Sequence, residues 1–178
     1  HGDWVLKKLA ELAKVSQPRH LTIKDGTRLP LLDAEAEVRV LPGANRVRWI
    51  GNVLVLEARP AADLAQLATR ALQKRALTHF AGRLAHYTGQ LDLAVPKLAL
   101  SSAHTRWGSC SRDGGIRVNW RLIHMPTHLG DYVVAHEVAH LLEMNHSERF
   151  WSVVGSLYPD WKAARGELKQ RATSLPIL

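Results

Sequence analysis

The chain has 178 residues, 46% of them hydrophobic, so it can bury a core of its own and is neither disordered nor fibrous. Its formal net charge of +8 favours an anionic partner or substrate, yet no run of Lys and Arg exceeds two residues, which reads as dispersed charge rather than a basic tail. No apolar run reaches the ~18 residues of a membrane span, and the lone Cys110 excludes an internal disulfide; with no recognisable secretion signal, a cytoplasmic setting with no membrane partner is the expectation.

Residues 3–15 place Val5, Leu9, Leu12 and Val15 at helical spacing and stop before Gln17-Pro18, which predicts a peripheral amphipathic helix. From residue 20 to 59 the period changes. Leu21-Thr22-Ile23 and residues 27–32 flank Asp25-Gly26 as a hairpin. Residues 37–41 alternate, and 46–50 and 53–57 flank a second turn at Gly51-Asn52. This predicts a small antiparallel sheet with Arg39, Arg46 and Arg48 on its solvent side. Pro60 opens a long helix over about residues 61–87, ended by Gly89. Its apolar stripe is Leu64, Leu67, Ala71, Leu77, Phe80, Leu84 and Tyr87, with a drift in phase near Lys74. The opposite face, including His79 and His86, reads as surface.

Residues 97–100 form a strand. Residues 105–111 and 116–122 form a hairpin about Arg112-Asp113-Gly114-Gly115, and Met125-Pro126 leads into a helix for which Thr127 is the candidate cap. Phe150, Trp151, Val154 and Leu157 mark a short helix. After Pro159, Trp161, Ala164 and Leu168 mark the last one. This order predicts an α+β fold. We divide it into 1–60, a helix and small sheet within the same compact unit, and 61–178, which carries the chemistry.

That chemistry gathers at His136-Glu137-Val138-Ala139-His140 and His146. Helical positions four apart stand one turn above each other, so His136 and His140 can aim two imidazoles at one metal ion. His-Glu-x-x-His is the zincin arrangement, with the glutamate as general base. Glu137 lies among Tyr132, Val133, Val134, Val138, Leu141 and Leu142, where a charge needs a partner or a function to offset its desolvation. On an unbroken helix His146 would point about 240° away from His140, at roughly 100° per residue. It joins the metal only if the helix stops after Glu143 or Met144 and the chain turns back. Asn145 is the candidate left-handed hinge, and Ser147 the cap of the next helix. Three histidines leave the fourth position of a tetrahedral zinc open for catalysis. Tyr132, Arg106 and His104 are candidates to stabilise an oxyanion. Cys110 reads as a small packed strand residue rather than a ligand.

The runs Thr105-Arg106-Trp107-Gly108-Ser109-Cys110-Ser111, Val118-Asn119-Trp120-Arg121-Leu122, His136-Glu137-Val138-Ala139-His140 and Asn145-His146-Ser147-Glu148-Arg149-Phe150-Trp151 resemble the YgjP-like metallopeptidase family, related to the WLM and SprT-like zinc metalloproteases. The resemblance is strong over about residues 97–165. It implies a zincin-like fold, Zn2+ on His136, His140 and His146, Glu137 as the catalytic residue, and a peptide or protein substrate. The WLM and SprT-like relatives act on DNA-bound proteins, which keeps nucleic acid as a possible partner by analogy. Glu143 stands where metzincins place glycine, and no methionine follows His146 for their Met-turn. A gluzincin would use a distant glutamate, for which Glu167 is the candidate. Two other readings stay open: a metal-dependent phosphohydrolase acting on nucleotides, and a DNA-associated binding module with a structural zinc.

Overall fold

The computed structural model describes residues 19–178, so the helix expected at 3–15 lies outside the described residues. The fold is α+β, as expected. The sheet of residues 28–58 comprises β2 (Arg28–Leu31), β3 (Ala34–Pro42), β4 (Arg46–Ile50) and β5 (Val53–Ala58), in the order β2-β3-β5-β4; β1 (Arg19–His20) lies before it. It is mixed, not antiparallel throughout, because β3 and β5 run parallel with Val38 opposite Leu54. The cause lies in composition. Val53-Leu54-Val55-Leu56 is apolar on consecutive positions and takes the centre, with Val55 itself only 4% exposed. The arginine-bearing β4 is turned out to the edge by the tight Gly51-Asn52 turn, where Gly51 has φ +59°.

The first hairpin also differs from expectation. Asp25-Gly26 does form a turn, with Gly26 at φ +85°, but residues 28–31 pair with 34–42 rather than with 21–23. Leu32, at φ 53°, makes that tighter turn. Arg39, Arg46 and Arg48 share one face, since Arg39 and Arg48 both lie opposite Val55, and Arg46 lies opposite Glu57. Acidic neighbours offset the charge there. Arg39 pairs with Asp25 and Glu37, and Arg48 with Glu57.

Helix α1 (Leu64–Gln90) begins after Asp63, whose side chain accepts from the Gln66 amide at 3.1 Å, so the start lies beyond Pro60. It buries Ala68, Ala71, Leu72, Ala76, Phe80, Leu84 and Tyr87. Leu77, expected in that stripe, is 41% exposed. The drift in phase near Lys74 hands the buried face to the smaller Ala76. His79 is half-buried rather than a surface residue, and burial holds its pKa below the ordinary histidine value.

A second sheet, β6 (Leu98–Ser101), β7 (Gly108–Cys110) and β8 (Ile116–Asn119), has the order β6-β8-β7, leaving β7 at an edge. The strand expected to run to Leu122 instead becomes a 3-10 turn, Trp120–His124. Asn119 makes the break. Its Oδ1 accepts from the Arg121 amide, while its Nδ2 donates to the Ala103 and Arg106 carbonyls and ties down loop 102–107. Next come α2 (Thr127–Ala139), α3 (Glu148–Leu157) and α4 (Trp161–Arg171). Thr127 is not the cap of α2 but its first residue. Asp33, from the β2–β3 turn, accepts from the Thr127 amide at 2.8 Å and its hydroxyl at 2.7 Å, capping the helix from a distant segment. These hydrogen bonds hold the Asp33 carboxyl below its ordinary pKa.

Helix α2 is apolar nearly all round and buried, the pattern of a central helix. It crosses α1 closely: a Cβ on Gly130 would lie 2.9 Å from Phe80 Cε1. β9 (Pro176–Ile177) closes the chain in parallel with β1. One core cluster includes Leu29, Val38, Leu54, Phe80, Ile116, Val134 and Phe150, drawn from both sheets and from α1, α2 and α3. Among the described residues no helix is long and apolar enough to cross a membrane.

Candidate metal centre

Helix α2 ends at Ala139, four or five residues earlier than expected, with His140 at the cap position. Leu141 and Leu142 tighten into 3-10 geometry, their amides donating to the Val138 and Ala139 carbonyls. Asn145 is not the left-handed hinge. The described non-glycine residues with positive φ are Leu32, Asn45 and Asp92. The early end of the helix, followed by these tight turns, brings the chain back. Ser147 caps α3 as expected, accepting from the Phe150 amide.

The turn gathers His136, His140 and His146, one ligating nitrogen from each lying within 4.8 Å of the others. His146 Nε2 stands 3.3 Å from His136 Nε2. Two imidazole nitrogens that close hold either a shared proton or a shared cation between them. His140 donates from Nδ1 to the Glu143 carbonyl at 3.1 Å, leaving Nε2 with its lone pair for the cluster. Phe150 stacks on His140 at 4.4 Å between ring centroids, and Trp151 on His146 at 6.0 Å. Burial, then the neighbouring His140 and His146, push the His136 pKa down to about 4, which keeps the ring neutral and able to ligate. Its buried Nδ1 has no partner among the described residues. Glu167 is elsewhere: it receives His128 Nε2 at 2.6 Å and Arg171 Nε at 2.8 Å.

Glu137 is 4% exposed, with Oε1 3.8 Å from His136 Nε2 and Oε2 buried without a partner among the described residues. Burial raises its pKa to about 7, against the opposing charge of Arg106. The β7 edge presses on it. A Cβ on Gly108 would meet Glu137 Cγ at 2.8 Å, the Arg117 carbonyl at 3.1 Å and Val133 Cγ1 at 3.1 Å. Only a residue without a side chain fits there.

Beside His136 and Glu137 opens a cavity of about 370 Å³, lined by the buried Val133 and Leu168, the half-buried Trp107 and the exposed Arg165 and Lys169. Of the three residues considered for an oxyanion, Tyr132 lines this cavity. Burial raises its hydroxyl's pKa, and the charge of Arg165 opposes that rise. Arg106 and His104 are exposed and line a neighbouring cavity of about 710 Å³. Cys110 is part-buried on β7, and burial followed by the Glu137 charge pushes its thiol pKa up. Sequence reasoning missed two residues: Gly108, whose role depends on how closely a strand passes a helix, and Arg165, which nothing in the local pattern distinguishes from other helical cations.

No curated protein matches the chain. The crystal structure of the metallopeptidase zymogen of Pyrococcus abyssi abylysin is similar over 54% of this chain and 97% of that one, at 20% identity and a TM-score of 0.48. The model of the YgjP-like metallopeptidase domain matches residues 1–171, nearly the whole length on which the three histidines and Glu137 are arranged, and the chain belongs to that family.

Proposed function

We propose that the protein is a zinc peptidase in which His136, His140 and His146 hold one ion and Glu137 is the general base. The observation that carries this is a buried carboxylate oxygen with no partner among the described residues, beside three converging imidazoles. A buried carboxyl without a partner is costly and persists where chemistry needs it. The donor set fits the ion. Zn–N bonds of about 2.0–2.1 Å in a tetrahedron put neighbouring nitrogens about 3.3–3.4 Å apart, which agrees with the 3.3 Å between His136 and His146. When bound, zinc supplies the Lewis acidity that makes water a nucleophile near neutral pH and polarises a carbonyl.

The chain's own residues do the rest. Glu137, with its pKa raised to about 7, is poised to take a proton from the attacking water and return it to the leaving amine. The β7 edge offers backbone groups to an extended peptide, giving affinity with little sequence choice. Gly108 keeps that edge against Glu137, so substrate backbone and general base share one register. Tyr132 is buried beside His136 and faces the same space, which supports it over Arg106 and His104 as the group near the developing oxyanion. In this reading the described part of segment 1–60 and segment 61–178 act as one unit, since residues of both share the core.

The test is cleavage of an unbiased peptide mixture by the zinc-loaded protein, read by mass spectrometry, with Glu137→Gln as control. Cleavage by the wild type that the variant lacks, at equal zinc content, is the expected outcome. Equal cleavage by both would show that Glu137 is not the base.

A further inference from the structure

We propose that the cavity beside His136 and Glu137 selects a carboxylate on the substrate, received by Arg165 and Lys169, with the stem of that residue lying on Val133 and Leu168. This inference rests on the peptidase reading above.

The cavity has two chemically distinct parts. Its inner part, with the buried Val133 and Leu168, is apolar, and the cavity's volume of about 370 Å³ accommodates a side chain of any size. Its rim on α4 carries Arg165 and Lys169, four residues and so one helical turn apart, about 5–6 Å between Cβ atoms. Among the described residues neither is in an ion pair, whereas Arg171 on the same helix is taken by Glu167. Arg165 is also held in place. Its guanidinium lies 5.2 Å from the centroid of the Trp151 ring, and Trp151 stacks at 4.3 Å on Trp161, one turn before Arg165 on α4. A guanidinium held within cation–π range of a ring loses less freedom on binding, and its donor fork suits a carboxylate.

A substrate carboxylate placed beside the exposed Arg165 and Lys169 would meet two cations. An apolar side chain would fill the inner part and leave the rim unused. A basic one would be repelled at the rim. Both an acidic side chain and a peptide's own C-terminal carboxylate present the required chemistry, and the test separates them.

The experiment uses a peptide cut by the zinc-loaded wild type or, if the mixture yields no cut, a fixed alanine-based octapeptide, remade with Glu or Gln at each position and with a free or an amidated C-terminus. Cleavage is measured as kcat/KM, and binding of the same peptides to Glu137→Gln by fluorescence anisotropy. A charge-assisted pair predicts that the carboxylate form is preferred about tenfold or more at one position. The preference collapses to about twofold or less in Arg165→Gln/Lys169→Gln, whatever that variant does to the rate on the Gln peptide. Gain from Glu in amidated peptides assigns the side chain; gain from the free terminus alone assigns the terminal carboxylate, and either supports the proposal. Cleavage and binding indifferent to the carboxylate would overturn it while leaving the peptidase reading intact, as would a preference that survives in the double variant. Carboxylate-dependent binding without any cleavage would overturn the peptidase reading and keep the pocket. Neither binding nor cleavage would overturn both.

Discussion

Asp131 and Glu137 lie on one helix, and their surroundings are opposite. Asp131, near the start of α2, accepts from Arg83 Nε and Nη2, both at 2.8 Å, and from the Tyr87 hydroxyl at 3.2 Å. Those bonds tie α1 to α2 beside the close crossing of Phe80 and Gly130. Glu137, in the last turn of α2, has a carboxylate oxygen with no partner among the described residues and a strand pressed against its stem. One end of the helix satisfies its charge and gains rigidity. The other leaves its charge unsatisfied where the histidines converge. A rigid first half holds the second half's groups in place, which a preorganised site requires.

The sharpest way to break this contrast is to neutralise each acid. Glu137→Gln is expected to lower kcat by about 10²–10⁴-fold, the range for losing a general base. It should leave thermal stability equal or higher, because a neutral amide costs less to bury than an unpaired carboxyl. A loss of stability would mean that Glu137 has a partner in solution. Gly108→Ala comes next. Its methyl group cannot fit without moving Glu137, so kcat/KM should fall by about 10²-fold, the scale of a ~1 Å misplacement, with zinc content retained. Unchanged activity would show that β7 does not set the position of the base.

Asp131→Asn should do the converse: unfolding by urea should become easier by about 1.5–3 kcal/mol, the range for hydrogen bonds to charged groups, with turnover per folded molecule within a few-fold of wild type. A smaller effect comes from His124, 5% exposed, whose Nδ1 donates to the Pro30 carbonyl at 2.8 Å. Burial lowers its pKa below 6.5. In the window below 6.5 the unfolded chain takes up a proton that the folded chain refuses. The stability this group contributes is therefore fully present above pH 6.5 and declines as the pH falls. Between pH 6.5 and 5 the decline is at most about 2 kcal/mol. His124→Asn should lose less stability than the wild type over that interval, as measured by denaturant titration at each pH.

How much of this was readable from sequence follows from the range of the interactions. The helical face that pairs His136 with His140 is local periodicity, and so is the cap at Ser147. That His146 comes to lie beside this pair was legible from spacing, but the way it arrives was not. The helix ends at Ala139 through 3-10 turns, not through a left-handed Asn145. The order of the strands was hidden because β5 competes for the sheet centre on total burial, a tertiary quantity, so the parallel β3–β5 pair carried no local mark. The cap of α2 by Asp33, the fit of Gly108 against Glu137 and the placement of Arg165 over Trp151 each join residues distant in sequence, beyond the reach of pattern reading.

The central claim is that three histidines hold one catalytic ion. Its most direct test is the metal content of untagged protein by elemental analysis, for the wild type, His146→Ala and Glu167→Ala. One zinc per chain is expected in the wild type, lost in His146→Ala and kept in Glu167→Ala. Zinc retained by His146→Ala, or no zinc bound by the wild type even when it is supplied, would contradict it.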